Sequence, residues 1–286
     1  MKRYLAALLV LVSCRAMAAQ NALTTQPSLD PRFDIGEVLF SDDFTHGDEQ
    51  WTTELERGGT VRPHDGKLEI DVPAGCTVWF KPQISAPALI EYEATVLSGG
   101  GPNDRVSDLN CFWMATDSRA ANGDVFDVKR SGKFADYNAL RCYYVGLGGN
   151  GNTTTRFRRY IGSPTTRPLL PEHDLNNAPN LITPNVRQKI QLVTCGTLVQ
   201  YWRDGKRVFE YTDADPYKTG RFAFRTVTNH MTIENFRVMR LNPRAIRAMA
   251  SGQQGPAQNL RVEYQTNPIG LTETKPRFSW WINDDR

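Results

Sequence analysis

The sequence lacks several features that would point to a common function. Its 286 residues include five widely spaced cysteines and no Cys-x-x-Cys pair, which excludes the usual zinc and redox motifs. The formal net charge is only +3, too small to indicate nucleic acid or an anionic membrane as the partner. Apolar runs are too short for a transmembrane helix, and no helical periodicity longer than about two turns precedes residue 243. Recognition of a charged ligand must therefore be local.

The N-terminus has the pattern of an export signal. Lys2 and Arg3 precede an apolar run of about eight residues, and Ala16-Met17-Ala18 forms a small-x-small cleavage site. Residues 1–18 are therefore predicted to be a signal peptide, and the mature protein is predicted to be periplasmic or secreted. Leu11-Val12-Ser13-Cys14 also fits a bacterial lipobox. In that alternative Cys14 carries a lipid anchor and the protein is an outer-membrane lipoprotein.

The other four cysteines are Cys76, Cys111, Cys142 and Cys195. Cys111 and Cys142 each lie in a strand-like run, which favours buried free thiols over a disulfide framework. A single bridge formed in an oxidising compartment is the alternative.

Period-two alternation dominates residues 37–241. Apolar residues alternate with Glu and Thr over residues 90–96, and Asp204-Gly205 joins two β-rich runs, 192–201 and 206–211, as a hairpin turn does. A last strand loses its phase near Asn235, which indicates a β-bulge. Short strands, Asp/Gly/Asn turns and the lack of helices predict a single all-β sandwich domain over residues 37–241.

After residue 241 the character of the chain changes. Residues 242–258 contain a short Arg/Ala/Met helix candidate and then Ser-Gly-Gln-Gln-Gly-Pro, which is typical of a linker. Residues 259–286 begin a new strand-rich unit, and about 28 residues are too few to bury a core alone. They are predicted to be a short fragment of a second β-module.

Residues 153–161, Thr-Thr-Thr-Arg-Phe-Arg-Arg-Tyr-Ile, carry the sharpest functional signal. Alternate side chains of a strand point to opposite sides, so Arg156, Arg158 and Tyr160 share one face while Phe157 takes the other. Guanidinium groups match carboxylates and phosphates. The strand is therefore predicted to bind an acidic ligand. The alternative is a solvated basic strand paired with acids on its neighbours.

Neighbouring strands extend this face when each is phased by its apolar residues. Placing Phe112, Cys142, Tyr144 and Phe224 inward leaves aromatic and arginine side chains outward, where they would line a groove for an extended sugar chain. The predicted site residues are Trp113, Arg141, Tyr143, Arg156, Arg158, Tyr160, Arg225, Asn229 and His230.

Four segments, in order, resemble a known family: Leu-Phe-Ser-Asp-Asp-Phe (39–44), Asp-Gly-Lys-Leu-Glu-Ile (65–70), Phe-Trp-Met-Ala-Thr-Asp (112–117) and Gly-Arg-Phe-Ala-Phe-Arg-Thr (220–226). Their order and spacing resemble the YesU-like concanavalin-type jelly rolls of bacterial rhamnogalacturonan-utilisation loci, and a related uncharacterised family of exported domains. The resemblance spans residues 37–241. It implies a concanavalin-like jelly-roll sandwich and a carbohydrate ligand.

A second resemblance covers the C-terminal segment. Asn-Leu-Arg-Val-Glu-Tyr-Gln-Thr-Asn-Pro-Ile-Gly-Leu (259–271), followed by Lys-Pro-Arg-Phe-Ser-Trp (275–280), resembles the opening of the N-terminal β-domain of bacterial α-L-rhamnosidases. The helical catalytic barrel of those enzymes is not in this sequence. The chain as given is therefore not expected to be a working rhamnosidase, and a truncated or split fusion is the predicted origin of this segment.

The two resemblances imply a rhamnose-containing carbohydrate as the ligand, and the arginine-rich strand predicts that this ligand is acidic. The protein is therefore expected to act on an acidic, rhamnose-containing polysaccharide. β-Elimination at a uronate would use Arg156 and Arg158 to hold the carboxylate, while Tyr143 and His230 move the proton. Because a tyrosine pKa is ordinarily near 10, adjacent arginines would have to lower the pKa of Tyr143. A non-catalytic carbohydrate-binding module is the alternative, and a structural or assembly domain is a second one.

Two other chemistries find little support. A retaining glycosidase of this fold needs two neighbouring carboxylates, but residues 69–73, Glu-Ile-Asp-Val-Pro, lack the second Glu. No metal or cofactor is predicted, with a structural Ca²⁺ near Asp42 and Asp43 as the weak alternative. The predicted partner is an acidic oligo- or polysaccharide, with no nucleic acid.

Overall fold

The computed structural model describes residues 29–244, 258–262 and 278–281. In chain order the strands are β1 (Phe33–Asp42), β2 (Trp51–Leu55), β3 (Thr60–His64), β4 (Lys67–Val72), β5 (Cys76–Ser85), β6 (Ala88–Val96), β7 (Leu109–Asp117), β8 (Leu140–Gly148), β9 (Thr154–Ile161), β10 (Asp174–Leu175), β11 (Gln188–Cys195), β12 (Leu198–Arg203), β13 (Lys206–Thr212), β14 (Thr219–Thr226), β15 (Asn229–Pro243), β16 (Gln258–Val262) and β17 (Phe278–Trp281). The helical elements are single turns at Val125–Asp127, Phe134–Tyr137, Gly149–Asn152, Pro171–His173 and Ala178–Asn180.

The strands form two antiparallel sheets. Sheet A has the order β13-β12-β11-β6-β15-β4-β3, and β1 also pairs with β15. Sheet B has the order β10-β9-β8-β7-β14-β5-β2, while β16 and β17 pair separately. Both sheets combine hairpin neighbours with pairs that are distant in sequence, such as β6 with β15 and β7 with β14, which is the jelly-roll connectivity, so the predicted all-β sandwich is confirmed.

The core lies between the sheets, where the inner faces of both are apolar. Ile90 and Tyr92 of β6 are almost completely buried against residues of sheet B. Trp51 stacks on Phe224 with ring centroids 5.2 Å apart, and both rings belong to this cluster. Burying one such large side chain stabilises the fold by about 1.5–3 kcal/mol.

Sheet B is also covered on its outer face, the side turned away from sheet A. Residues 118–138, here called the flap, follow β7 and pack across this face. Tyr137 of the flap stacks on Phe112 at 5.7 Å and lies 6.4 Å from Trp79. The completely buried side chain of Arg130 pairs with Asp117 at 2.6 Å. Where the flap covers them, β5, β7 and β14 are therefore buried on both faces, by sheet A on the inner side and by the flap on the outer side.

The flap explains one error of the sequence prediction. Trp113 and Met114 both join the core between the sheets, whereas Phe112 faces the flap. Met114 has φ 53°, and the register with β8 shifts after Trp113, so a β-bulge puts two consecutive residues on one side. Gly220 accommodates this bulge, because a Cβ there would lie 2.2 Å from the Met114 carbonyl carbon. The predicted outward orientation of Trp113 is wrong.

The predicted orientation of the β8 side chains is also wrong. Tyr143 points into the core, while Cys142 and Tyr144 lie on the outer face with the flap cluster. Residues 192–201, predicted as one β-rich run, are divided between two strands, β11 and β12. A turn at Gly196, with φ 60°, joins them.

Other predictions about the strands are confirmed. Asp204 and Gly205 have φ 51° and 73° and close the hairpin between β12 and β13. The pairing of β15 with β6 shifts register around Asn235. All four cysteines in the described part of the chain are free.

Several predictions fall on residues that the structure does not describe. These are the signal peptide or lipobox at residues 1–18, most of the linker at 242–258, and the side chains of 259–286. Among the described residues, no helix has the length and apolar character needed to cross a membrane.

Candidate functional site

A pocket of about 410 Å³, here called the arginine pocket, lies on the outer face of sheet B over β8 and β9. It is the part of this face that the flap leaves open. Strands supply its floor and loops supply its rim. Its principal lining residues are Arg105, Asp108, Phe134, Tyr144, Gly146, Asn150, Arg156, Arg158, Tyr160 and Arg167.

The alternation of β9 sets the floor of the arginine pocket. Thr155 and Phe157 are buried on the core side, so Arg156, Arg158 and Tyr160 point to the outer face. Gly146 lies opposite Arg156 in the β8–β9 pairing. A side chain at Gly146 would meet the Tyr144 hydroxyl at 2.7 Å, so glycine leaves room for that ring.

The four arginines of the pocket differ in their partners. Arg156 forms a two-point ion pair with Asp174, at 2.8 and 3.1 Å, and Arg105 lies 3.5 Å from Asp108. Arg158 has no carboxylate partner in the described part of the chain and donates to the backbone carbonyl of Arg167.

The surroundings of Arg158 disfavour its positive charge. Burial lowers its pKa, and the nearby Arg156 and Arg167 guanidiniums lower it further. A partly buried cation without a counter-charge is stabilised by any anion that enters the pocket.

Tyr160 adds a hydrogen-bonding group to the same pocket. The residue is 1% exposed, and its hydroxyl makes no well-formed hydrogen bond within the described residues. Burial raises the pKa of Tyr160 to about 12, although the neighbouring Arg167 acts to lower it. The hydroxyl therefore stays protonated at neutral pH and can donate to a bound ligand.

Of the nine predicted site residues, three line the arginine pocket: Arg156, Arg158 and Tyr160. Trp113 is buried and donates from its indole nitrogen to Thr194 at 3.2 Å. Arg141 is exposed where β8 begins, on the strand phase of Tyr143.

Tyr143 is not placed for the proton transfer expected of it. Its hydroxyl donates to Asp213 at 2.7 Å inside the protein. Burial and the Asp213 carboxylate raise the pKa of Tyr143, which is the opposite of what a general base requires.

His230 lies on β15 of sheet A. Its Nδ1 is 2.8 Å from Asp104 and its Nε2 is 3.2 Å from Glu69. It shares no hydrogen-bond partner with Tyr143, so the structure does not bring the predicted proton-transfer pair together.

The last two predicted residues are buried outside the pocket. Arg225 is 1% exposed beneath the flap, where it donates to Thr77 at 3.0 Å and to the Gly132 carbonyl at 2.7 Å. Asn229 is completely buried and donates to Thr226 and to the Ser107 carbonyl.

The predicted calcium position is occupied by hydrogen-bond donors. Asp42 accepts from the Phe44 backbone at 2.8 Å and from the side chains of Gln50 and Trp51 at 3.1 and 2.8 Å. Among the described residues no group of three or more His, Cys, Asp or Glu is arranged to hold a metal. The calcium prediction stays untested.

The sequence prediction missed the residues that loops bring to the arginine pocket. Arg105 comes from the loop before β7, Arg167 from the loop after β9 and Phe134 from the flap. Tyr144 was assigned to the wrong face. Only the density of Arg and Gly in these loops could have indicated their role.

A second pocket of about 440 Å³ lies beside Asp213. Its arginine, Arg159, already pairs with Asp213 at 2.7 Å and stacks on Tyr217 at 4.4 Å. Among the described residues that line this second pocket, an acidic ligand would find no arginine or lysine without a carboxylate partner, so the arginine pocket is the better candidate.

Sequence comparison assigns the chain to a family. The model of a domain of unknown function, DUF6250, matches residues 70–236, more than half of the chain. The protein therefore belongs to the DUF6250 family. Residues 257–286 match the Rha78A-like N-terminal immunoglobulin domain, which confirms the predicted rhamnosidase-type segment. A search of curated proteins gives no match to this sequence.

One solved structure supports the fold, and others are more distantly similar. A protein of unknown function with a galectin-like fold from Bacillus subtilis aligns with a TM-score of 0.60 at 16% identity, covering 74% of this chain and 100% of that one. The carbohydrate-binding module CBM66 from Bacillus subtilis gives 0.46 at 12% identity, covering 66% and 95%. β-Agarase B from Zobellia galactanivorans gives 0.48 at 10%, covering 76% and 97%. At these identities the likeness concerns the fold alone.

Proposed function

We propose that the protein is exported and binds an acidic, rhamnose-containing polysaccharide through the arginine pocket, with Arg158 receiving the uronate carboxylate. The observation that carries the proposal is Arg158 itself, a partly buried guanidinium without a carboxylate partner among the described residues. The rhamnose part of the proposal rests on the rhamnosidase-type segment at residues 257–286. Export would end either in cleavage of the signal peptide after residue 18 or in a lipid anchor at Cys14.

The pocket chemistry favours a carboxylate on a sugar. Arg158 and Arg167 would hold the anion, and the Tyr160 hydroxyl would donate a hydrogen bond to it. Tyr144 and Phe134 add aromatic surface beside the charged groups, and Asn150 and Thr154 add hydrogen-bonding groups for hydroxyls. Charged, aromatic and amide groups around one small pocket suit an acidic sugar better than a purely apolar ligand.

Binding without catalysis fits the pocket best. Asp108 is the one carboxylate among its lining residues, so the paired acids of a retaining glycosidase are not present there. β-Elimination is the second candidate, and the observation that favours it is that Tyr160 lies in the same pocket as Arg158. Because burial raises the pKa of Tyr160 to about 12, the neighbouring Arg158 and Arg167 guanidiniums would have to lower it much further before the phenolate could act as a base.

The test measures binding and cleavage together. Full-length protein would be titrated by calorimetry with rhamnogalacturonan, ulvan and arabinogalactan, each in its natural form and with its uronates reduced to neutral sugars. We expect binding of at least one natural polymer and loss of that binding on carboxyl reduction. Arg158→Gln should weaken it roughly 10- to 100-fold, the effect of one charge-assisted hydrogen bond.

The matched control is Arg240→Gln, because Arg240 is an exposed arginine paired with Glu37 on sheet A. It should bind like the parent protein. Equal affinity for natural and carboxyl-reduced polymers would refute the proposal. Absorbance of unsaturated uronide products, absent in Tyr160→Phe, would assign the lyase reaction instead of binding alone.

A further inference from the structure

We infer that the arginine pocket takes the end of an acidic glycan, a terminal uronate and its neighbour, and not an internal stretch of a chain. This inference rests on the proposed function and narrows its ligand. It follows from the way the flap and one loop occupy the outer face of sheet B.

A sugar chain crossing the outer face of sheet B would pass over β14 and β5 as well as over β8 and β9. On β7, β14 and β5 the outward side chains Phe112, Ala223 and Trp79 are completely buried beneath the flap. The protein itself therefore fills the path that an extended ligand would need. The arginine pocket over β8 and β9 is therefore separated by the flap from a smaller pocket of about 270 Å³ over the other ends of β5, β7 and β14, beside Arg221.

The flap is held down by several strong contacts. The Arg130 side chain, which has no exposed surface, pairs with Asp117 at 2.6 Å and with Glu54 at 3.1 Å. The Tyr137 hydroxyl donates to Glu54 at 2.6 Å, and Arg225 donates to the Gly132 carbonyl at 2.7 Å. Lifting the flap would leave these buried charges unpaired, which is costly.

A second barrier closes the pocket next to the flap. Arg167, from the loop after β9, places its guanidinium 5.3 Å from the centre of the Phe134 ring. The same loop accepts a hydrogen bond from Arg158 through the Arg167 carbonyl. Loop and flap therefore touch across one side of the pocket.

The size of the pocket agrees with a short ligand. Its volume of about 410 Å³ is near the lower end of the range for small-molecule sites, roughly 300–1,000 Å³. A site of this size holds one or two sugar rings and has no continuation under the flap for further ones.

The experiment compares chain lengths. Oligosaccharides of alternating rhamnose and galacturonic acid, from the disaccharide to the octasaccharide and each with a terminal uronate, would be titrated into the full-length protein by calorimetry. We expect one protein per chain at every length, with affinity per chain constant within about 3-fold, because multivalent gain requires several sites per chain. Reducing only the terminal carboxyl should abolish binding.

The outcomes separate the two proposals. Affinity that rises about 10-fold or more with length, or several proteins bound per octasaccharide, would overturn the chain-end inference while leaving acidic-sugar binding intact. Retained binding after all carboxyls are reduced would overturn the proposed function and the inference together. Absence of binding at every length, when the parent polymer binds, would overturn the chain-end inference alone. Phe134→Ala removes part of the wall that Phe134 and Arg167 form beside the pocket, and it should raise the ratio of octasaccharide to disaccharide affinity. An unchanged ratio would show that this wall does not limit chain length, against the inference.

Discussion

His230 illustrates how a single side chain ties a loop to sheet A. Its ring lies between Asp104, in the loop before β7, and Glu69 on β4, while Arg62 pairs with Glu69 at 3.1 Å. Asp104 also accepts from the backbone amides of two glycines in its own loop. The residue after Asp104 is Arg105, which reaches the arginine pocket. His230 therefore acts on the position of the rim and does not touch the pocket.

The charge of His230 makes stability depend on pH. Burial opposes the charged ring, but the hydrogen bonds to Asp104 and Glu69 outweigh it and raise the pKa of His230 above 6.5. A raised pKa contributes stability that is complete below 6.5 and is lost as pH rises through the folded-state value. We expect about 1 kcal/mol to be lost between roughly pH 6 and pH 8, as for a partly exposed charge pair.

Urea unfolding of the parent protein and of His230→Gln at each pH measures this loss. The free energy difference between the two should shrink as pH rises. His64→Gln is the control, because His64 is an exposed histidine that contacts the exposed Asp65. A difference that does not change with pH would show that folding does not shift the pKa of His230, against this prediction.

At the scale of elements, β7, β8 and β9 explain what the sequence could predict about the site. On β9 the outer face is polar, so alternation assigned Arg156, Arg158 and Tyr160 correctly to one side. On β7 and β8 both faces are apolar, because the flap buries the outer one, and alternation then carries no information about direction. A bulge at Met114 adds a further phase change.

Sequence periodicity could not predict the loop residues of the site. Arg105 and Arg167 lie in loops whose course depends on contacts with distant residues, such as Asp104 with His230 and Arg167 with Phe134. The sandwich itself depends on patterns within each strand and could be predicted. The complete pocket depends on tertiary contacts of loops and could not.

The stability of the flap depends on the buried charge of Arg130. Its guanidinium also donates to the carbonyls of Val125 and Val128, at 2.9 and 3.2 Å, so it organises the flap turn as well as pairing with Asp117 and Glu54. Arg130→Met should lower the free energy of unfolding by about 3 kcal/mol, because it leaves buried carboxylates short of a partner.

The exposed pair of Arg240 and Glu37 provides the comparison, since Arg240→Gln should cost less than about 1 kcal/mol in the same urea titration. Similar small losses for both variants would mean that Arg119, which also pairs with Asp117 at 2.7 Å, compensates that carboxylate without Arg130.

For the whole molecule, the two apolar clusters of sheet B are built from alternate residues of the same strands. Cys111 belongs to the core between the sheets, whereas its neighbour Phe112 belongs to the flap cluster. On β8, Val145 and Tyr144 divide in the same way. Neither cluster can lose its strands without disrupting the other, so we expect the sandwich and the flap to unfold in one cooperative step.

The free cysteines report on this cooperativity. Cys76 and Cys111 are buried in the core and Cys142 under the flap, and burial raises the pKa of Cys76 and of Cys111 to about 12, which suppresses the reactive thiolate. Pulse alkylation along a urea series, followed by peptide mass spectrometry, should label all three at the same midpoint. Cys195, only partly buried, should react already in the native protein. Labelling of Cys142 at lower urea than Cys111 would mean that the flap opens separately, and a path for longer glycans across sheet B would then exist.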